Sequence, residues 1–192
     1  MENTAIFRAF IESVFGKFPE HDWLLLKGIC EPLQVKKGEI VLSIGEKCKH
    51  LWFLVKGAVR AYELTDGFEK SNYFMTDCSL FIDYYSIATD QGSELCFVAE
   101  EDCEIFAMNY GSLLKTYDQS QLLERIGRIM AERQFVIEFE IRRLFLTKDA
   151  FERYQYLLEN RPEIFQRFSL KDIASFIGIT PVSLSRLRKM RR

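Results

Sequence analysis

Along the first thirty residues the apolar positions fall at helical spacing. Ile6, Phe7, Phe10, Ile11, Val14 and Phe15 recur three and four apart, and after Pro19 a second run holds Trp23, Leu24, Leu25 and Leu26. This predicts one or two short helices over residues 4–30. From Leu33 the period shortens. "LQVKKGEIVLSIG" gives short apolar runs punctuated by Gly38 and Gly45, and "HLWFLVKGAVRAYELTDGFEKSNYF" gives two β-rich runs around Lys56-Gly57 and a third after Asp66-Gly67. Asp-Gly between alternating runs predicts a two-residue hairpin. "ELCFVAEEDCEIFAM" adds two strands, so seven or eight short strands over residues 33–109 predict an antiparallel roll or sandwich. Between them "MTDCSLFIDYYSIATDQGSE" loses the alternation and reads as a loop with a short helix, a segment placed to line an interior pocket.

Helical periodicity returns from about Gln119 to Thr147, where Ile126, Met130, Ile137, Ile141 and Leu144 step mostly by threes and fours. At 1.5 Å per residue the helix would run about 40 Å, longer than a small domain needs to cover its own core. A seam on such a helix packs against a symmetry mate, with packing inside the chain as the alternative.

The C-terminal segment carries the most specific pattern. Ser169 precedes "LKDIASFIG" with Asp172 three residues on, a variant of the capping box. Thr180-Pro181 then supplies the cap and first position of another helix. Gly178 stands where the connecting turn wants a positive φ, Ala174 is small where the second helix crosses, and Ile173, Ile177, Ile179, Leu184 and Leu187 can close a core between two steeply crossed helices. This is a helix-turn-helix pattern. The second helix, with Val182, Leu184 and Leu187 as its apolar positions, would expose Ser183, Ser185, Arg186, Arg188 and Lys189. Serine hydroxyls and arginine forks suit phosphates and base edges. Together with Ser169, Thr180 and Val182 these form the candidate DNA-contacting set, with Arg186 expected on a guanine, Val182 on a thymine methyl, and Arg191 and Arg192 on phosphates.

Charge sharpens the division. Residues 1–141 hold 14 Lys and Arg against 23 Asp and Glu, whereas residues 142–192 hold 12 against 5, which together give the net charge of -2. An acidic body with a basic tail points to parts with different partners, the basic one meeting a polyanion, or to a solvated helix face. With 48% hydrophobic and 14% aromatic residues the chain can bury a sizeable core. No stretch reads as a signal peptide or a membrane span. The five cysteines are scattered, without a CxxC, which favours a reducing, cytoplasmic compartment over a disulfide framework.

"VKKGEIVLSIGEKCKHLWFLVKGAVRAYELTDG", the long helix, and "KDAFERYQYLLENRPEIFQRFSLKDIASFIGITPVSLSRLRK" together resemble the CRP/FNR family of bacterial transcription regulators over nearly the whole chain. The resemblance implies an α+β fold with three parts. Residues 1–118 would form a cyclic-nucleotide-binding-like, jelly-roll-like β-roll with flanking helices, residues 119–147 a dimerisation helix, and residues 148–192 an all-α helix-turn-helix domain reading palindromic double-stranded DNA, its two recognition helices about 34 Å apart. A homodimer, and RNA polymerase as a further partner, follow from the same resemblance. No membrane partner and no cofactor are implied.

The departures bear on the effector. Where members that bind cyclic nucleotides carry Gly-Glu and then Arg with a small neighbour, this chain has Ile82-Asp83 and Ser93-Glu94. Asp83 could accept a ribose hydroxyl, but a buried phosphate would have no partner and would face Glu94, so cyclic AMP or GMP is not expected. Phe74, Phe81, Asp83, Tyr84, Tyr85, Ser93 and Glu94 are the candidate pocket residues. They would admit an apolar or aromatic effector, or fill the roll and leave no small ligand, the reading preferred here. Iron–sulfur sensing would need four converging cysteines, and His21 and His50 read as polar surface residues. In the recognition helix Pro181 and Val182 stand where members often place Arg or Glu, so base readout should differ from theirs. No β-wing follows, either because it is absent or because the sequence ends early. An enzyme is not expected: two distant histidines cannot build a cupin-type metal site, and no phosphate loop or nucleophile elbow occurs. The competing reading is a ligand-binding module that acts through protein–protein contacts, which a salt series separates from DNA binding.

Overall fold

The computed structural model describes residues 2–189. Two helices, α1 (Glu2–Phe15) and α2 (Glu20–Lys27), flank Pro19, as the break in periodicity predicts. They bury Phe7, Ile11, Trp23 and Leu26 against the outer face of the first sheet, where the Phe7 ring lies 4.4 Å from that of Phe53.

Eight strands follow: β1 (Cys30–Val35), β2 (Ile40–Leu42), β3 (His50–Lys56), β4 (Val59–Thr65), β5 (Phe68–Met75), β6 (Ser79–Phe81), β7 (Cys96–Ala99) and β8 (Cys103–Asn109). They form two four-stranded antiparallel sheets, ordered β1-β8-β3-β6 and β2-β7-β4-β5. The pleat divides each strand between two cores. In β3, Trp52 and Leu54 join Leu42, Phe97 and Ile105 inside the roll, while Phe53 and Val55 face the helices.

The Asp66-Gly67 hairpin forms between β4 and β5. Thr65 pairs with Phe68, and both turn residues are left-handed, with φ of 52° and 78°. A two-residue loop in that conformation matches the strands' right-handed twist. Lys56-Gly57 joins strands of different sheets instead, since β3 pairs with β6 and β8 while β4 pairs with β5 and β7. The segment that lacks alternation contains the short strand β6 as well as a helix, α3 (Tyr84–Thr89).

After α4 (Tyr110–Tyr117), the long helix α5 runs from Gln121 to Thr147, capped by Ser120, whose hydroxyl accepts the Leu123 N–H at 3.1 Å. Its ends are anchored inside the protomer: Leu123 and Ile126 pack on the α1–α2 core and Leu144 is buried at the C-terminal end. The middle is bare. Phe135 is 73% exposed, and Val136, Ile137 and Phe139 are exposed beside it.

Lys148 is extended, and α6 (Ala150–Asn160) begins with a reciprocal capping box between Asp149 and Glu152. α7 (Ile164–Arg167), α8 (Leu170–Ile177) and α9 (Pro181–Lys189) complete a third core, holding Tyr154, Leu157, Ile173, Ile177 and Leu184 together with Ala58 and Phe74 of the roll. Among the described residues no helix is long and apolar enough to cross a membrane.

Candidate nucleic-acid interface

The turn between α8 and α9 shows why this sequence folds as it does. The Gly178 N–H donates to the Ser175 carbonyl at 3.1 Å and the Ile179 N–H to the Ala174 carbonyl at 2.9 Å, with Gly178 at φ 77°. This paired arrangement ends a helix by satisfying its last carbonyls, and it needs a left-handed residue that glycine supplies without a Cβ penalty. Two residues on, the Thr180 hydroxyl accepts the Ser183 N–H at 3.2 Å and starts α9, with Pro181 in the first position, where no donor is needed. Ile173, Ala174, Ile177 and Leu184 are completely buried where the two helices meet. Packing on that side fixes which side of α9 is free.

The free side carries Val182, Ser185, Arg186, Arg188 and Lys189, all exposed, with Thr180 at its N-terminal end. Among the described residues no carboxylate pairs with Arg186, Arg188 or Lys189. The three cations also occupy the end of α9 where the helix dipole favours positive charge. Ser183 is only half exposed, and its hydroxyl lies 3.0 Å from that of Thr180, so it belongs to the cap more than to the open face. Ser169 caps α8 by accepting the Asp172 N–H at 3.2 Å. The Asp172 carboxylate does not return to the Ser169 backbone as a full capping box would; it accepts the Ser169 hydroxyl at 2.5 Å. Arg191 and Arg192 lie outside the described residues.

The candidate pocket residues do not gather around one cavity. Phe74 faces away from the roll interior and packs on Phe168 and Phe176, with ring centroids 4.5 and 5.4 Å away. Phe81 stacks on Trp52 at 5.3 Å and meets Phe97 edge-on at 5.5 Å, which fills the interior. Tyr84 and Tyr85 are exposed, Tyr84 lying edge-on to Tyr110. Asp83 is buried and caps α3, accepting the Ser86 N–H at 3.1 Å. The Ser93 hydroxyl is buried and turned onto the Leu95 backbone. Only Ser93 and Glu94 line an open cleft, about 390 Å³, which they share with Ile44, Gly45, Glu63, Leu64 and Thr65. That lining holds two carboxylates and no cation, so it offers nothing to a phosphate.

The sequence reading missed Tyr73 and Glu138. The Tyr73 hydroxyl donates from β5 to Glu138 on α5 at 2.8 Å, and Gln134 donates to the other Glu138 oxygen at 2.6 Å. Burial, and then the adjacent carboxylate, push the Tyr73 phenol well above its usual range. The bond seals the roll against the long helix. Alternation in "KSNYFM" marks Tyr73 as half-buried, but no local signal identifies a partner 65 residues away.

The cyclic nucleotide-binding domain family matches residues 32–120. No curated protein matches the chain by sequence. Solved structures with a similar fold include FixK2 from Bradyrhizobium japonicum (TM-score 0.72, 22% identity, 84% of each chain covered). A transcriptional regulator of the CRP/FNR family from Eubacterium rectale aligns with a TM-score of 0.67 at 18% identity, over 90% of this chain and 83% of that one. The c-di-GMP-responsive global regulator CLP of Xanthomonas campestris aligns with a TM-score of 0.63 at 15% identity, over 90% and 91%. Residues 32–120 thus match the cyclic nucleotide-binding domain family, in a chain that has the fold seen in CRP/FNR-type regulators.

Proposed function

We propose that this chain is a homodimeric transcription regulator that binds palindromic double-stranded DNA through α9 and does not depend on a cyclic mononucleotide. The observation that carries the reading is the open face of α9. Among the described residues Arg186, Arg188 and Lys189 stand free of carboxylates, on a helix whose opposite side is locked into the helix-turn-helix core. Cations left unpaired in an otherwise acidic chain fit a polyanionic partner. The exposed stretch around Phe135, Val136 and Phe139 on α5 supports dimerisation along that helix, which would carry two copies of α9 to successive turns of the major groove. The division into a sensor-type roll (1–118), a dimerisation helix (119–147) and a DNA-binding domain (148–192) belongs to the same proposal, as does a cytoplasmic site of action. RNA polymerase is the partner such a regulator would address once bound.

Independence from cyclic AMP or GMP is supported by the filled roll and by the cleft beside Ser93 and Glu94, which lacks a cation. The test is a selection on random duplex DNA, read by fluorescence anisotropy over a salt series, with and without cyclic AMP. Enrichment of a palindrome that weakens steeply with salt and ignores the nucleotide is expected. Enrichment only with the nucleotide would overturn the effector reading. No enrichment in either arm would favour a module acting through protein–protein contacts.

A further inference from the structure

The helix-turn-helix unit is not attached to the rest of the chain by α5 alone. It lies along β5, the edge strand of its sheet, and covers that edge. The Ser175 hydroxyl on α8 accepts the Ser71 N–H and donates to the Glu69 carbonyl, both at 3.1 Å. Further along, Arg161 donates to the Phe74 carbonyl at 3.1 Å. Beneath these bonds Phe74, Phe168 and Phe176 pack together.

At the centre sits Arg60 of β4, its side chain 8% exposed. It reaches Glu69 at 2.8 Å and Glu100 at 2.7 Å on the roll, and Asp172 of α8 at 3.5 Å. The second Asp172 oxygen holds the Ser169 hydroxyl that caps α8. On the flank Arg167 of α7 forks onto Glu101 at 3.0 and 2.5 Å and reaches Asp77 at 3.1 Å. Thus the acidic roll and the basic C-terminal part, which the sequence divides by charge, already meet inside one protomer. The contact leaves the N-terminal turn of α8 and the outer face of α9 open, with Ser169, Thr180, Val182, Ser185 and Arg186 all exposed.

We propose that Arg60 is a positioning residue for DNA binding. Through Asp172 and Ser169 it holds the helix-turn-helix unit against the roll in the orientation from which α8 and α9 meet DNA. The proposal rests on the DNA-binding reading above. Two copies must engage half-sites simultaneously, and a unit left on the extended Lys148 linker would have to surrender its orientational freedom on binding. Docking removes that freedom beforehand, and it covers none of the face assigned to DNA.

The test uses the full chain with Arg60→Gln and, since Arg60 is buried, the peripheral Arg167→Gln as a second variant. Each is titrated with the selected duplex over a salt series and followed by amide hydrogen exchange. Both should bind about 3- to 30-fold more weakly, the range for residues that tune coupling without touching a ligand. The salt slope should be unchanged, because no phosphate contact is lost. Exchange over residues 169–177 should accelerate, and Asp172→Asn added to Arg60→Gln should cost little more. Folded variants that bind as well as or better than the parent, or that bind with a shallower salt slope, would overturn the proposal. So would unchanged protection of α8, a readout that needs no DNA. A parent chain that binds no duplex, with α8 loosened in both variants, would sink the DNA-binding reading and this proposal with it while leaving the docking intact.

Discussion

Replacing Gly178 by alanine tests the turn on which the start of α9 depends. The residue sits at φ 77°, where a side chain costs an L-residue about 1–2 kcal/mol. A Cβ built there meets nothing closer than the Arg153 Nη2 at 4.0 Å, so no steric clash adds to that cost. Against it, alanine narrows the unfolded ensemble and returns about 0.4–1 kcal/mol. The net loss for Gly178→Ala should be close to 1 kcal/mol, or about 2–4 °C in Tm for a chain of this size. Gly178→Asn should lose less, because asparagine enters the left-handed region more readily. Urea unfolding followed by circular dichroism reads both, with the m-value checked for constancy. A clear gain in stability would mean that the turn is not left-handed in solution. A loss above about 3 kcal/mol would mean that packing, rather than φ, governs the site.

Other expectations follow from named contacts. Arg186→Ala should cost about 1–3 kcal/mol of binding and relax the preference at one base pair, whereas Lys189→Ala should weaken all sequences alike and lower the salt slope by about one; competition titrations on variant duplexes separate the two. Phe135→Ser with Phe139→Ser should leave the protomer folded, since both rings are exposed in it, and shift sedimentation toward the monomer. Among the five cysteines, exposed Cys78 should react first with a thiol reagent, while burial pushes the Cys30 thiol up to about 12 and should keep it unreactive at pH 8. Alkaline unfolding is expected too. Burial raises the Tyr73 phenol and pushes that of Tyr117 up to about 12, so the folded state holds these protons more tightly than the unfolded chain does. Their stabilisation is complete below about pH 10 and is lost as pH rises through the folded values; Tyr73→Phe should flatten that slope in pH-dependent urea titrations.

What could be read from the sequence was whatever short range decides. The Asp66-Gly67 hairpin, the break at Pro19, the long helix read from about Gln119 to Thr147 and the Gly178 turn each depend on residues within a few positions, and each signal survives folding intact. Partnership across the sheet was not legible. Phe74 and Phe81 lie seven residues apart among similar neighbours, yet one packs on the helix-turn-helix core and the other fills the roll. A register shift between Ala61 and Tyr62 in the pairing of β4 with β5 resets the alternation just ahead of Phe74, and composition carries no trace of it. Arg60 was equally silent. Between Val59 and Ala61 it reads as one cation in a strand, and only the folded chain brings Glu69, Glu100 and Asp172 to it.

The fate of the roll interior shows how far the departures from the nucleotide-binding pattern extend. Had only Ile82-Asp83 and Ser93-Glu94 changed, restoring an arginine at Ser93 would rebuild a phosphate site. The structure argues otherwise. Ser93 is buried, its backbone is tied to the Gly45-Glu46 turn at 2.7 and 2.8 Å, and the cleft beside it is lined by Glu63 and Glu94, so the position has neither packed room for a long side chain nor an anion-binding surround. Inside, Trp52, Phe81 and Phe97 occupy the volume with their rings in mutual contact, and Tyr73 with Glu138 closes the side facing α5. Each of these groups would have to move before a polar ligand could enter, and a buried aromatic cluster resists such movement because its loss leaves a void. Ser93→Arg alone should therefore create no measurable affinity for cyclic AMP in calorimetry. Binding regained by that single change would show that the aromatic cluster yields far more easily than its packing implies.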